Sequence, residues 1–128
     1  MMAKLKKILY VEDEPDIQMI ARVALENVGG FELLVCSSGK EAVEKAAGFN
    51  PDLFLLDVMM PGMDGPTTLL ELRKIPELTK IPVMFMTAKV QPQEVEFLKS
   101  LNVADVIAKP FDPMELANTI HDSWSKIC

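Results

Sequence analysis

Five short apolar runs recur along the chain, each followed by a stretch whose apolar positions return every three or four residues. The runs cover 7–11, 32–36, 53–57, 81–87 and 105–108. Most are solidly hydrophobic rather than alternating, which predicts strands covered by helices on both faces. Between them, Pro15 opens a first helix, a position where its missing N–H has no partner to lose. Ile17, Ile20, Ala21, Leu25 and Val28 form its expected inward stripe, and Gly29-Gly30 ends it. Ser38-Gly39-Lys40-Glu41 is a capping-box pattern for a second helix, with Ala42, Val43 and Ala46 facing inward. A third helix is expected from about Pro66 to before Pro76, and a fourth over 92–101. The last follows Asp112-Pro113, with Leu116, Ala117, Ile120, Trp124 and Ile127 as its stripe. Strands alternating with helices imply parallel strands, right-handed crossovers and an open, doubly wound α/β sheet.

The length fits one domain, read as 1–128 with no attached output domain, and the 49% apolar content is enough for a sizeable core. Nineteen acidic against thirteen basic residues give a formal net charge of -6, which disfavours direct binding to nucleic acid. Cys36 and Cys128 stand far apart without a metal-binding or redox spacing, so reduced thiols and an intracellular location are expected. Met1-Met2-Ala3-Lys4 begins a basic start, but the apolar run after it is too short for a signal peptide or a membrane span. The expectation is a cytoplasmic protein without membrane contact.

In open parallel sheets ligands bind beyond the carboxyl ends of the strands. There the sequence places Glu12 and Asp13 after the first run, Asp57 at the end of the third, Thr87 at the end of the fourth and Lys109 just after the fifth. An acid after a strand is usually a turn or cap residue, but chemistry-bearing groups on all four edges are a different matter. Two carboxylates about 4 Å apart repel by roughly 4 kcal/mol at an effective dielectric of ~20. Three together need protonation, a cation or both. Oxygen donors favour a hard ion such as Mg²⁺, Lys109 adds charge without competing as a ligand, and Thr87 adds a hydroxyl. The set suits transfer of a phosphoryl group to a carboxylate.

These motifs resemble the receiver domain of two-component response regulators. The resemblance rests on Glu12-Asp13, on Asp57 ahead of Met59-Met60-Pro61-Gly62-Met63-Asp64-Gly65, on Thr87-Ala88 and on Lys109-Pro110-Phe111, and it spans essentially the whole chain. It implies the strand order 2-1-3-4-5 and Asp57 as phospho-acceptor. It implies Mg²⁺, with Mn²⁺ as a substitute, held by Glu12, Asp13, Asp57 and the backbone carbonyl of Met59. Thr87 would bond a phosphoryl oxygen, Lys109 would pair with the group through a cis Lys109-Pro110 bond, and the small Ala88 would leave it room. The implied partners are a sensor histidine kinase or histidine phosphotransfer protein, and a separate effector or a second copy at the face of helix 4, strand 5 and helix 5. No catalysis is implied beyond the protein's own phosphorylation and dephosphorylation.

Three departures from the family pattern stand out. Glu12 stands where aspartate is commoner, Pro66 follows Gly65, and Val106 occupies a position where many receivers carry an aromatic ring that turns inward on activation. Competing functions fare less well. Phosphatases with an aspartate nucleophile need a second acid two residues on, where this chain has Met59. A nucleotide or flavin site needs a Gly, Ser or Thr-rich cradle, and Glu12-Asp13-Glu14-Pro15 is its electrostatic opposite. A receiver serving only as an unphosphorylated interaction module stays open because of Val106. His121 reads as a surface residue, Met84 and Met86 as core filler, and Met59, Met60 and Met63 as a loop able to govern water access.

Overall fold

The computed structural model describes residues 4–127; the start at Met1 to Ala3 and Cys128 lie outside the described residues. The strands are β1 (Lys7–Val11), β2 (Glu32–Cys36), β3 (Leu53–Asp57), β4 (Val83–Thr87) and β5 (Asp105–Ala108). The helices are α1 (Pro15–Arg22), α2 (Gly39–Phe49), α3 (Gly65–Arg73), α4 (Pro92–Lys99) and α5 (Leu116–Ile127). All five strands are parallel in the order β2-β1-β3-β4-β5, as the family resemblance implies.

β4 starts later than the apolar run suggests. Pro82 offers no N–H to a ladder, and Ile81 uses its own to reach the Leu78 carbonyl, so pairing begins at Val83. Strand alternation then divides the core into two layers. Ile8, Tyr10, Leu55, Met84 and Met86 face a layer closed by Ala21, Leu25, Leu116, Ile120 and Trp124. Leu9, Val11, Leu56 and Phe85 face the opposite layer, closed by Ala42, Ala46, Leu69, Leu72 and Leu98. Val106 is partly buried against this second layer, paired with Phe85 across the sheet.

The inward stripe of the first helix needs correction. α1 runs into a π-helical segment, Val23–Val28, in which the Gly29 N–H reaches the Ala24 carbonyl. Ala21, Ala24 and Leu25 are buried while Ile20, already on the outer side of α1, is exposed, and the wider turn that follows leaves Val28 exposed as well. Ile127, expected inward on α5, is also exposed, one turn beyond the layer that Trp124 closes. Ser38 caps α2 by accepting the Glu41 N–H, as its motif predicts, and Asp64 caps α3 by accepting the Thr67 N–H. Among the described residues no helix is long and apolar enough to cross a membrane.

Candidate functional site

The carboxyl edge of the sheet carries the site. β1 ends at Val11, so Glu12 and Asp13 leave it in the loop before α1. The Glu12 N–H still bonds the Cys36 carbonyl at 3.0 Å, and its own carbonyl accepts from the Gln18 side-chain amide, which fixes the backbone beneath the carboxylate. Asp57 is the last residue of β3, and the next amide, Val58, donates to the Met86 carbonyl at 3.0 Å. This bond holds the end of β3 against the end of β4. Thr87 closes β4, and its carbonyl accepts the Lys109 N–H at 2.9 Å, which ties the β5 loop to the same rim.

Glu12 is fully buried, Asp57 is 4% exposed, and Asp13 is partly open to solvent. Each offers an oxygen, and these oxygens lie within 4.8 Å of one another. Lys109 Nζ stands 2.9 Å from Glu12 Oε1 and 3.3 Å from Asp57 Oδ1. Its peptide bond to Pro110 is cis, as the resemblance implies. Tyr10, wholly buried in β1, donates its hydroxyl to Glu12 Oε1 at 3.2 Å, and the Glu14 N–H reaches Oε2 at 3.3 Å.

Burial, followed by the negative charge of Glu12, pushes the Asp57 carboxyl up to about 7 against the pull of Lys109. Burial also works against charge on Glu12, but hydrogen bonds from Lys109, Asp57 and the Glu14 N–H outweigh it and hold that carboxyl below its ordinary value. The asymmetry follows from the partners: Glu12 collects the donors, and Asp57 carries the remaining cost of two acids in one cavity. Burial keeps the Tyr10 phenol protonated, reinforced by the Glu12 charge, so its hydroxyl retains the proton it donates to Glu12.

An all-oxygen donor set with two buried acids fits a hard divalent cation, Mg²⁺ among them. Thr87 is 2% exposed, and its hydroxyl accepts the Lys89 N–H at 3.0 Å. Accepting leaves its own proton free for another oxygen. Met59 is exposed beside Asp57 and lines, with Pro61, Pro66, Phe97 and Leu98, a cleft of about 700 Å³ between the β3 loop and α4. Met60 is instead buried in the second layer. His121 is exposed, its ring tilted against Phe31, far in the fold from this rim.

The structure therefore gathers Glu12, Asp13, Asp57 and Lys109 at one place and sets Thr87 on the adjoining strand end. Sequence reasoning missed three contributors. Tyr10 could have been found, because strand alternation puts it on the same side as Glu12 two residues later. Gly65 stood in the loop motif without a role of its own; a Cβ there would sit 2.5 Å from the Asp57 carbonyl oxygen. Gln18 carried no signal in the sequence.

Known proteins share this chain's sequence pattern and fold. Residues 8–121 match the model of the response regulator receiver domain. The chain is 36% identical over 111 residues to the alkaline phosphatase synthesis transcriptional regulatory protein PhoP of Bacillus subtilis, covering 87% of this chain and 45% of that protein. It is 32% identical over 120 residues to the response regulator SaeR of Staphylococcus aureus, covering 94% of this chain and 51% of that protein. The chain thus spans about half the length of these relatives. The solved structure of the chemotaxis response regulator CheY4 of Vibrio cholerae is similar with a TM-score of 0.85 at 26% identity, covering 94% of this chain and 99% of that one. Fold and sequence agree: the chain belongs to the response regulator receiver domains of two-component systems.

Proposed function

We propose that Asp57 accepts a phosphoryl group from a partner's phosphohistidine, or from a small phosphodonor, and that the acyl phosphate switches the protein's output face. The observation that carries this reading is the ammonium of Lys109 set between Glu12 and Asp57, with Asp13 completing a triad of oxygens at the solvent edge.

Glu12, Asp13 and Asp57, with the backbone carbonyl of Met59, are the proposed holders of Mg²⁺, for which Mn²⁺ would substitute. Such an ion would neutralise phosphate and carboxylate oxygens brought into contact. The chain's own groups do the rest. An Asp57 carboxylate oxygen attacks phosphorus in line, its bond forms as the bond from phosphorus to the donor's nitrogen or oxygen breaks, and the leaving group keeps that electron pair. Lys109 exchanges its contact with Asp57 for the new phosphoryl oxygens, and Thr87 donates its free proton to one of them. The added group carries about -1.5 to -2 charge. As Thr87 turns toward it, the Lys89 N–H loses its acceptor, which loosens the loop leading into α4. The proposed recipient is a separate effector or a second copy at the face of α4, β5 and α5. We assign no activity beyond forming and losing this one acyl phosphate.

The test is incubation with acetyl phosphate and Mg²⁺ followed by intact-mass measurement. Wild type should gain one phosphoryl group, and Asp57→Asn or a chelated sample should not. Equal labelling of Asp57→Asn would overturn the assignment.

A further inference from the structure

We infer that Tyr10 is a positioning residue for Glu12, whose carboxylate its hydroxyl steers toward Asp13 and Asp57. This rests on the proposed function of the rim. Glutamate is one methylene longer than aspartate and has an extra rotatable bond, so reach comes with freedom that must be removed for a carboxylate to sit in a defined cluster. Three donors converge on Glu12. Lys109 approaches Oε1 at the end of a long flexible chain, and the Glu14 N–H meets Oε2 at 3.3 Å from the loop itself. Tyr10 differs from both. Its ring is fully buried among Ile8, Leu25 and Leu55, one residue inside the end of a strand paired on both sides, so its hydroxyl is a fixed point in the core. A phenol has two side-chain torsions, and packing holds both.

A plainer account has Glu12 merely satisfying a buried phenol, as buried hydroxyls require a partner. The two accounts differ in what Tyr10→Phe changes. The variant keeps the ring and leaves Lys109 and the Glu14 N–H on Glu12, so the fold is retained and no carboxylate is orphaned. A steering role loosens the cation cluster, whereas a purely structural role affects stability alone.

The experiment titrates the metal-free full chain with Mg²⁺ alone, following the amide signals of residues 12–14 and 57–60, for wild type, Tyr10→Phe, Glu12→Asp and the double variant. Urea unfolding is measured in parallel. Steering predicts that Tyr10→Phe weakens Mg²⁺ binding about three- to tenfold, because one ordered side chain is released. In the Glu12→Asp background, where the shorter chain falls short of the hydroxyl, the same change should alter affinity less than twofold. Equal affinity of Tyr10→Phe and wild type overturns this inference alone, as does an equal loss in both backgrounds. Absence of Mg²⁺ binding by wild type overturns the proposed function and this inference with it.

Discussion

Lys109 Nζ rests 2.9 Å from Glu12 Oε1, although 97 positions separate the two residues in the chain. The contact joins the loop after β5 to the loop after β1 across the sheet, and it is almost shielded from water. Lys109→Met would leave Glu12 and Asp57 facing each other without their cation. Phosphorylation of Asp57 by acetyl phosphate should fall more than tenfold, on the order of the loss from removing one charge-stabilising donor. Added Mg²⁺ should raise the melting temperature of this variant more than that of wild type. A smaller metal-induced shift in the variant would count against the shared cavity described here.

In chelated protein the elevated Asp57 carboxyl links pH to stability. Its folded value is about 7 against an ordinary 3.8, so the folded form holds a proton that the unfolded chain has released between those limits. This contribution to stability is complete below about pH 4 and is lost as pH rises toward 7. Asp57→Asn removes the cost of the buried charge, and at pH 8 it should be more stable than wild type by an amount on the order of 1–3 kcal/mol. Urea midpoints at pH 5 and pH 8 measure this directly, and the variant's gain should be clearly larger at pH 8 than at pH 5.

Gly65 is set by the acceptor strand itself. A Cβ at this position would lie 2.5 Å from the Asp57 carbonyl oxygen and 2.9 Å from Val58 Cα, both backbone atoms with no room to yield. Gly65→Ala should therefore cost about 1–3 kcal/mol and slow labelling of Asp57. Gly48 makes the matched control: it lies in α2, and a Cβ there meets nothing within 4 Å. Gly48→Ala should stabilise by about 0.5–1 kcal/mol with labelling unchanged, as measured by denaturation and mass.

Val106 tests how the switch travels. It is a partly buried aliphatic side chain beside Phe85, with no ring to turn inward. The Thr87 hydroxyl and the Lys89 N–H offer another route into α4. Beryllium fluoride with Mg²⁺ should then shift amide signals of residues 89–99. Shifts restricted to residues 12–14 and 57–65 would favour a module that binds phosphate mimics without relaying them.

The elements were legible because their boundaries are chemical. Ser38, Pro15, Gly29-Gly30 and Pro92 each start or stop a helix for a local reason. The order of the strands was not legible from the runs themselves, since uniformly apolar strands carry no mark of their neighbours; it came from the resemblance. The π-helical segment was hidden because Val23-Ala24-Leu25-Glu26-Asn27-Val28 reads as an ordinary amphipathic turn, and the extra residue per turn is decided by packing. Asp57, Asp13 and Lys109 announced themselves as charges at strand ends. Tyr10 did not, because a tyrosine inside an apolar strand looks like core until its hydroxyl is seen to meet Glu12.

Every acid, hydroxyl and ammonium on the rim hangs from a strand end, and none is carried by a helix interior. Gln18 and Gly65 aside, the helices can therefore drift in sequence, length and outer surface while the chemistry stays put, which leaves partner choice free to diversify. The strands have no such latitude. Deleting one residue from within β3 would put its two halves out of step, so that either Asp57 turns away from Lys109 or the apolar residues before it change faces.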